Sequence, residues 1–314
     1  MDRRRKRLPL TIGWRLVGIA VVTLSLTAGW GAPTADGAAQ RRFDSLEEAE
    51  RALVDALRKG DDKALGSIFG PGASGLVSSG DAVRDRQIRE RFVAMYEEQH
   101  RLEGGGGKVV LVVGKDDFPL AIPLVADGPW WRWDTAAGRE EIVNRRIGQN
   151  ELNTIQVCLA YVDAQREYYL RDPDRNGLLQ YARAFASSPG KRDGLFWPTK
   201  EGEPPSPLGL FVARAKAEGY AKGSGPVPYW GYYFRILTAQ GKDAPGGAYD
   251  YLAQNRMIGG FALVAYPAQY GASGIMTFLV NHDGVVYQKN LGPSTAAIAK
   301  AMKQFNPDSS WKKT

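Results

Sequence analysis

The sequence predicts an α+β protein built in two parts with helix between them. Three observations carry this. Residues 43–99 place apolar side chains at helical spacing, and residues 108–133 then switch to the alternation of strands. The stretch from Asp134 to Gly177 reads as helix almost throughout. Beyond Pro228, four β-rich runs are separated by turn residues. The expected divisions are residues 1–39, 40–135, 136–171 and 172–314.

In chain order, Phe43-Asp44-Ser45-Leu46-Glu47-Glu48 opens the first part. Asp44 or Ser45 supplies an N-cap oxygen, and the acids sit in the first turn. Ala49, Leu53, Ala56 and Leu57 form one helical face. Gly60-Asp61-Asp62 ends that helix, and a short one follows over Lys63–Phe69. A third helix is predicted over Asp81–Gln99, with Ile88, Phe92, Met95 and Tyr96 inward. Gly104–Gly107 is a chain tip. Lys108–Val113, Ala121–Ala126 and Trp130–Trp133 are predicted strands of one antiparallel meander. Pro119 and Pro123 place the middle strand at an edge, because proline has no N–H to donate.

In the central stretch Leu152, Ile155, Leu159, Val162 and Tyr169 recur at spacings of three, four, three and seven, an amphipathic stripe widened by Cys158, Tyr161 and Tyr168. Asp163, Gln165, Arg166 and Glu167 are expected on the polar side. Gly148 and the N-cap candidate Asn150 divide the stretch into helices over about 136–147 and 151–171. Pro173 stops the second. Asn176–Phe185 is predicted helical, as is a segment from Ser206 or Pro207 through Glu218. Strands are predicted over Pro228–Leu237, Met257–Tyr266, Gly274–Val280 and Val285–Lys289. Asn281-His282-Asp283-Gly284 turns the last two, and Thr295–Phe305 closes the fold as a helix.

The first 39 residues have the layout of an export signal: Arg3 to Arg7 are basic, Leu16–Leu26 is apolar, and Gly37-Ala38-Ala39 precedes a cut before Gln40. The apolar run is short for a membrane span, which needs about 20 residues. No stable span is expected after cleavage, and the expected location is periplasmic or secreted. Six of the 41 basic and two of the 34 acidic residues lie in this segment, which leaves 35 against 32. The basicity is mostly the signal, so no nucleic-acid partner is implied. The single cysteine, Cys158, excludes an intrachain disulfide and reads as a buried thiol.

Helices followed by a bent meander resemble the cystatin-like cone folds. A long helix followed by an antiparallel sheet is pilin-like, although a pilin places its helix at the mature N-terminus and this one is internal. The segments F-D-S-L-E-E-A, W-D-T-A-A-G-R-E-E-I, R-R-I-G-Q-N-E-L, S-S-P-G-K-R-D-G-L-F-W-P, M-I-G-G-F-A-L-V-A-Y-P-A, G-I-M-T-F-L-V-N and G-V-V-Y-Q-K-N-L-G are more specific. Together they resemble the bacterial domain-of-unknown-function family numbered 2950, from about Phe43 to Trp311. The resemblance implies an exported bacterial envelope protein and brings no reaction with it.

Two places concentrate chemistry. The central stretch gathers Arg145, Arg146, Gln149, Asn150, Glu151 and Asn153. These groups form either a hydrogen-bond network between the two parts or a polar pocket, with Arg146, Asn150 and Glu151 as ligand-binding candidates. Asp172-Pro173-Asp174-Arg175-Asn176-Gly177 matches the start of a calcium loop, with Asp172, Asp174 and Asn176 as ligands for Ca2+. Position twelve is Arg183 where a bidentate Glu belongs. The Trp130–Trp133 and Tyr229–Phe234 aromatics read as sheet core rather than a glycan-stacking face, because alternate strand residues face opposite ways. The leading expectation is a non-enzymatic binding or scaffold protein of the envelope, with a protein or glycan partner. The alternatives are a carboxylate-based hydrolase of a wall polymer and a calcium-stabilised component of secretion or pilus-like machinery.

Overall fold

The computed structural model describes residues 39–173, 177–220 and 226–314; the expected signal segment lies outside them. Helix α1 spans Leu46–Lys59, α2 Asp62–Phe69, α3 Ser74–Val77 and α4 Ala82–Glu98. The start of α1 is a capping box. The Ser45 hydroxyl accepts from Glu48 N at 3.1 Å while Glu48 Oε2 accepts from Asp44 N at 3.0 Å. Asp61 and Asp81 are simple N-caps of α2 and α4, accepting from Ala64 N and Arg84 N.

Five strands follow: β1 His100–Gly105, β2 Lys108–Val113, β3 Phe118–Pro119, β4 Leu124–Asp127 and β5 Trp130–Trp133. They form an antiparallel sheet in the order β1-β2-β4-β5, with β3 also on β2. The expected edge is corrected here, because β4 lies between β2 and β5 and Pro123 sits just ahead of it. The chain tip also proves to be part of a hairpin: Gly105 pairs Lys108 across Gly106 and Gly107, whose φ of 63° and 88° suit a tight turn that twists with the strands. Phe43, Leu53, Leu65, Ile68, Leu111, Leu124 and Trp133 form the core between helices and sheet. Trp130 is exposed and Trp133 wholly buried, as the alternation requires.

Helix α5 is continuous over Thr135–Arg171, 37 residues and about 55 Å long at 1.5 Å per residue. The expected break at Gly148 and Asn150 is absent. A helical glycine costs only about 1 kcal/mol relative to alanine, and tertiary bonds hold the helix on both sides of it. Its buried face is also turned from the one expected. Thr154, Cys158, Tyr161, Gln165 and Tyr168 are buried, whereas Leu152 is 63 % exposed. The wide tyrosines fill the space over the sheet. Buried Gln165 is satisfied by Tyr161 Oη, Ala182 O and Ala182 N, all within 2.9 Å. Burial alone pushes the Cys158 thiol up to about 12, consistent with an inert thiol.

Residues 177–185 are not helical. Tyr181 N donates to Met257 O at 2.7 Å and Ala182 N to Gln165, so the amides a helix would use are already committed. Helix α6 covers Gly209–Ala217 and β6 Tyr232–Leu237. The strand expected from Pro228 is interrupted. Trp230 and Gly231 adopt φ of 53° and 75° between the bonded pair Tyr229 and Tyr232, a two-residue turn. The short strands β7 Ala239–Gln240, β8 Tyr249–Asp250, β9 Leu252–Ala253 and β10 Arg256–Met257 form two small ribbons. Then come β11 Ala262–Pro267, β12 Met276–Asn281, β13 Val286–Asn290, α7 Thr295–Ala301 and β14 Lys312–Lys313. The second sheet runs β14-β13-β12-β11-β6, antiparallel throughout, with α5 against it. The architecture is α+β as predicted. Among the described residues no helix is long and apolar enough to cross a membrane.

Candidate ligand-binding site

The N-terminal part encloses a cavity of about 320 Å³. Leu57, Leu65, Phe69, Leu76, Phe92 and Ile142, from α1, α2, α3, α4 and α5, are among its apolar wall residues. Its size falls at the lower end of small-molecule pockets, roughly 300–1,000 Å³. Ile88 and Phe118, about 40 % exposed, also line it, so it reaches the surface.

Five charged residues join this apolar wall: Arg84, Asp85 and Arg89 from α4, and Arg145 and Arg146 from α5. Arg146 donates from Nη1 to Gly75 O at 2.8 Å and from Nη2 to Leu76 O at 2.6 Å, so it ties α5 to α3. Burial lowers its pKa from the ordinary value, with Asp85 opposing. Arg89 Nη2 donates to Asp62 Oδ1 at 2.6 Å and to Val77 O at 2.7 Å. Arg145 pairs with Glu141 and lies over the Phe118 ring. Asp85, the carboxylate on the wall, is buried and accepts from Ser79 N at 2.9 Å.

Arg84 differs. Its guanidinium stacks on Trp230 at 4.1 Å, and Nη1 donates to Gln87 Oε1 at 3.3 Å. Its Nε is buried without a partner. Burial lowers its pKa too, against the upward pull of Tyr220, Asp81 and Glu218. A guanidinium stays protonated even so, and this one is a partly desolvated cation with unused hydrogen-bonding capacity.

Of the residues singled out in the sequence, Arg146 lines this cavity. Asn150 and Glu151 instead face the second sheet. Asn150 Nδ2 donates to Ser273 O at 2.9 Å, and its Oδ1 is buried and unpartnered. Glu151 Oε1 accepts from Ile275 N and Met276 N, both at 2.9 Å, with Tyr232 Oη at 3.5 Å. The central polar groups therefore divide between the two parts. Glu151→Gln keeps the acceptor oxygen and is expected to cost under ~1 kcal/mol; Glu151→Ala leaves two amides unpaired and is expected to cost roughly 2–4 kcal/mol. Urea unfolding of the two variants measures the difference.

At the expected calcium loop, Asp172 ends α5 with φ of 41°, and its Oδ2 accepts from Gly177 N at 2.9 Å. Asp174 and Asn176 lie outside the described residues. Glu140 and Glu141 are both exposed on α5. Ser273 is buried, its hydroxyl bonded to both backbone groups of Gln269.

Arg84, Asp85 and Arg89 escaped the sequence reading. Their signal is a spacing: Arg84, Ile88 and Phe92 fall at i, i+4 and i+8, so a cation and two apolar groups share one helix face.

The sequence pattern of one family, described as Protein of unknown function (DUF2950), matches residues 40–314. The chain belongs to this family. No curated protein and no solved structure matches it. The DUF2950 match covers both sheets and all of α5, so the cavity and the seam under Asn150 and Glu151 fall within one family unit.

Proposed function

We propose that this DUF2950 member is an exported, non-enzymatic envelope protein that binds an apolar small molecule in the cavity of its N-terminal part. The observation that carries the reading is the cavity itself. A core at native packing density leaves few voids larger than a water molecule. This one is far larger, opens to the surface and has arginines on its wall. A mostly apolar pocket with a few polar groups is the usual form of a small-molecule site. Export rests on the layout of residues 1–39 and on the family resemblance.

The test is a fluorescence titration with N-phenyl-1-naphthylamine, a neutral dye that brightens in apolar surroundings. The expected result is saturable binding that weakens at least roughly tenfold in Ile142→Trp, where an indole fills the space. Ile142 is partly buried on the cavity wall, so the larger ring has somewhere to go. Equal dye binding by both proteins, with both folded by circular dichroism, would place the dye elsewhere and remove the basis for the reading.

A further inference from the structure

We propose that the cavity takes a single-chain amphiphile with a carboxylate head, a medium-chain fatty acid, and that Arg84 binds the head group. This rests on the cavity being a binding site and goes further by naming the ligand class.

The chain length follows from volume. A space of about 320 Å³, at the lower end of small-molecule pockets, suits one short-to-medium chain.

The head group follows from charge. Four arginines and one aspartate line the wall, an excess of cation beside an apolar space. Three of the four are committed: Arg146 through both terminal nitrogens to Gly75 and Leu76, and Arg89 and Arg145 by ion pairs from Nη2 to Asp62 and Glu141. Arg84 has one long bond, from Nη1 to Gln87; its Nε is buried away from the space, and Nη2 is the terminal nitrogen left for a head group. It forms no ion pair among the described residues, although acids are near. Asp81 is taken by Tyr220 Oη and Gly231 N at 2.9 and 2.8 Å, and Glu218 by Arg214 Nε and Tyr229 Oη at 3.0 and 3.1 Å.

Arg84 is also held in place. Asp81 caps its backbone N–H, Trp230 supports its face, and Gln87 is itself fixed by donating to Glu218 O at 2.6 Å. A fixed fork costs less ordering on binding than a free side chain. One edge of a guanidinium matches the two oxygens of a carboxylate. A phosphate head would need further positive charge, and Arg89 and Arg145 are already neutralised by Asp62 and Glu141.

The experiment is calorimetric titration of the purified protein with decanoate, decanol, decyl phosphate and acetate at neutral pH. Decanoate is expected to bind roughly 10–100-fold more tightly than decanol, the yield of a charge-assisted pair of hydrogen bonds. Decyl phosphate is expected below decanoate, and acetate is expected to show no binding, because the chain is needed. Arg84→Gln should bring decanoate down to the level of decanol. Arg84→Lys, which keeps the charge and loses the fork, should fall between. Thermal melts of both variants check that they fold. Equal binding of decanol and decanoate, or a preference that survives Arg84→Gln, would overturn the head-group assignment while leaving the cavity as a site. Tighter binding of decyl phosphate would overturn the carboxylate. If no chain binds, the cavity reading falls as well.

Discussion

Gly138→Ala is expected to destabilise the protein by about 3 kcal/mol or more, although alanine is the better helix former. Gly138 lies in the first turns of α5, and a Cβ there would sit 2.2 Å from Ala121 O, 2.3 Å from Ala121 C and 2.6 Å from Ile122 N. These are backbone atoms of the segment leading into β4, and no rotamer change moves them aside. Overpacking costs roughly 1–3 kcal/mol where side chains can adjust; against backbone the upper end or beyond applies. Helix propensity returns only about 1 kcal/mol, so the clash wins. The control is Gly148→Ala in the same helix, where an added Cβ meets nothing within 4 Å. That variant is expected to gain up to ~1 kcal/mol. In thermal melts Gly138→Ala should lose roughly 6–12 °C while Gly148→Ala should not fall. A neutral Gly138→Ala would mean that α5 does not approach the sheet as described.

Asp81→Ala is the second large effect, expected at roughly 3–5 kcal/mol. The carboxylate caps α4 through Arg84 N at 3.1 Å and also accepts from Tyr220 Oη at 2.9 Å and Gly231 N at 2.8 Å. It therefore joins the first helix layer to the turn that carries Trp230. Its removal leaves three buried donors, each costing about 1–3 kcal/mol if unpaired, with some recovered by water and relaxation. Burial and the Asp81 charge both push the Tyr220 hydroxyl upward in pKa, so that hydroxyl stays a donor. Asp81→Asn should cost less, because one oxygen remains to accept while the amide faces Gly231 N–H. Urea unfolding checks this: the midpoint should fall with the slope unchanged, the mark of lost stability within a two-state transition.

What was legible in the sequence was local. The start of α1 was legible as a cap from Asp44 or Ser45 with acids behind it, and Ser45 with Glu48 makes the capping box; Asp61, read as part of a helix stop, caps α2. Strand alternation located β2, β4, β5, β12 and β13 to within a few residues, whereas β14 carried no such signal. The misses are tertiary. Gly148 looked like a break because local propensity disfavours it, yet Arg146 is tied to α3 on one side and Glu151 to the second sheet on the other. Residues 177–185 have helical composition, but Gln165 and Met257 claim their amides. Trp230 breaks an aromatic run because it occupies a left-handed turn position beside Gly231, supported by the guanidinium of Arg84.

The cavity could not be read from the sequence at all. Leu57, Leu65, Phe69 and Ile142 look like core residues in any helical pattern, and only the spacing of the assembled helices shows that they leave a space. Arg146 was visible as one of a polar cluster, but its partners Gly75 and Leu76 are some seventy positions away in the chain. Arg84 carried a weaker signal, a cation one turn before Ile88 on a face that continues into Phe92. Such a stripe marks a boundary between water and apolar space, which is where an amphiphile's head group belongs.

The most direct measurement is a crystal structure of the protein grown with decanoate. The account predicts continuous density for one chain in the space between α1, α2, α4 and α5, ending at the guanidinium of Arg84. A cavity that holds only ordered water, or walls that have closed on each other with the chain bound elsewhere, would contradict it.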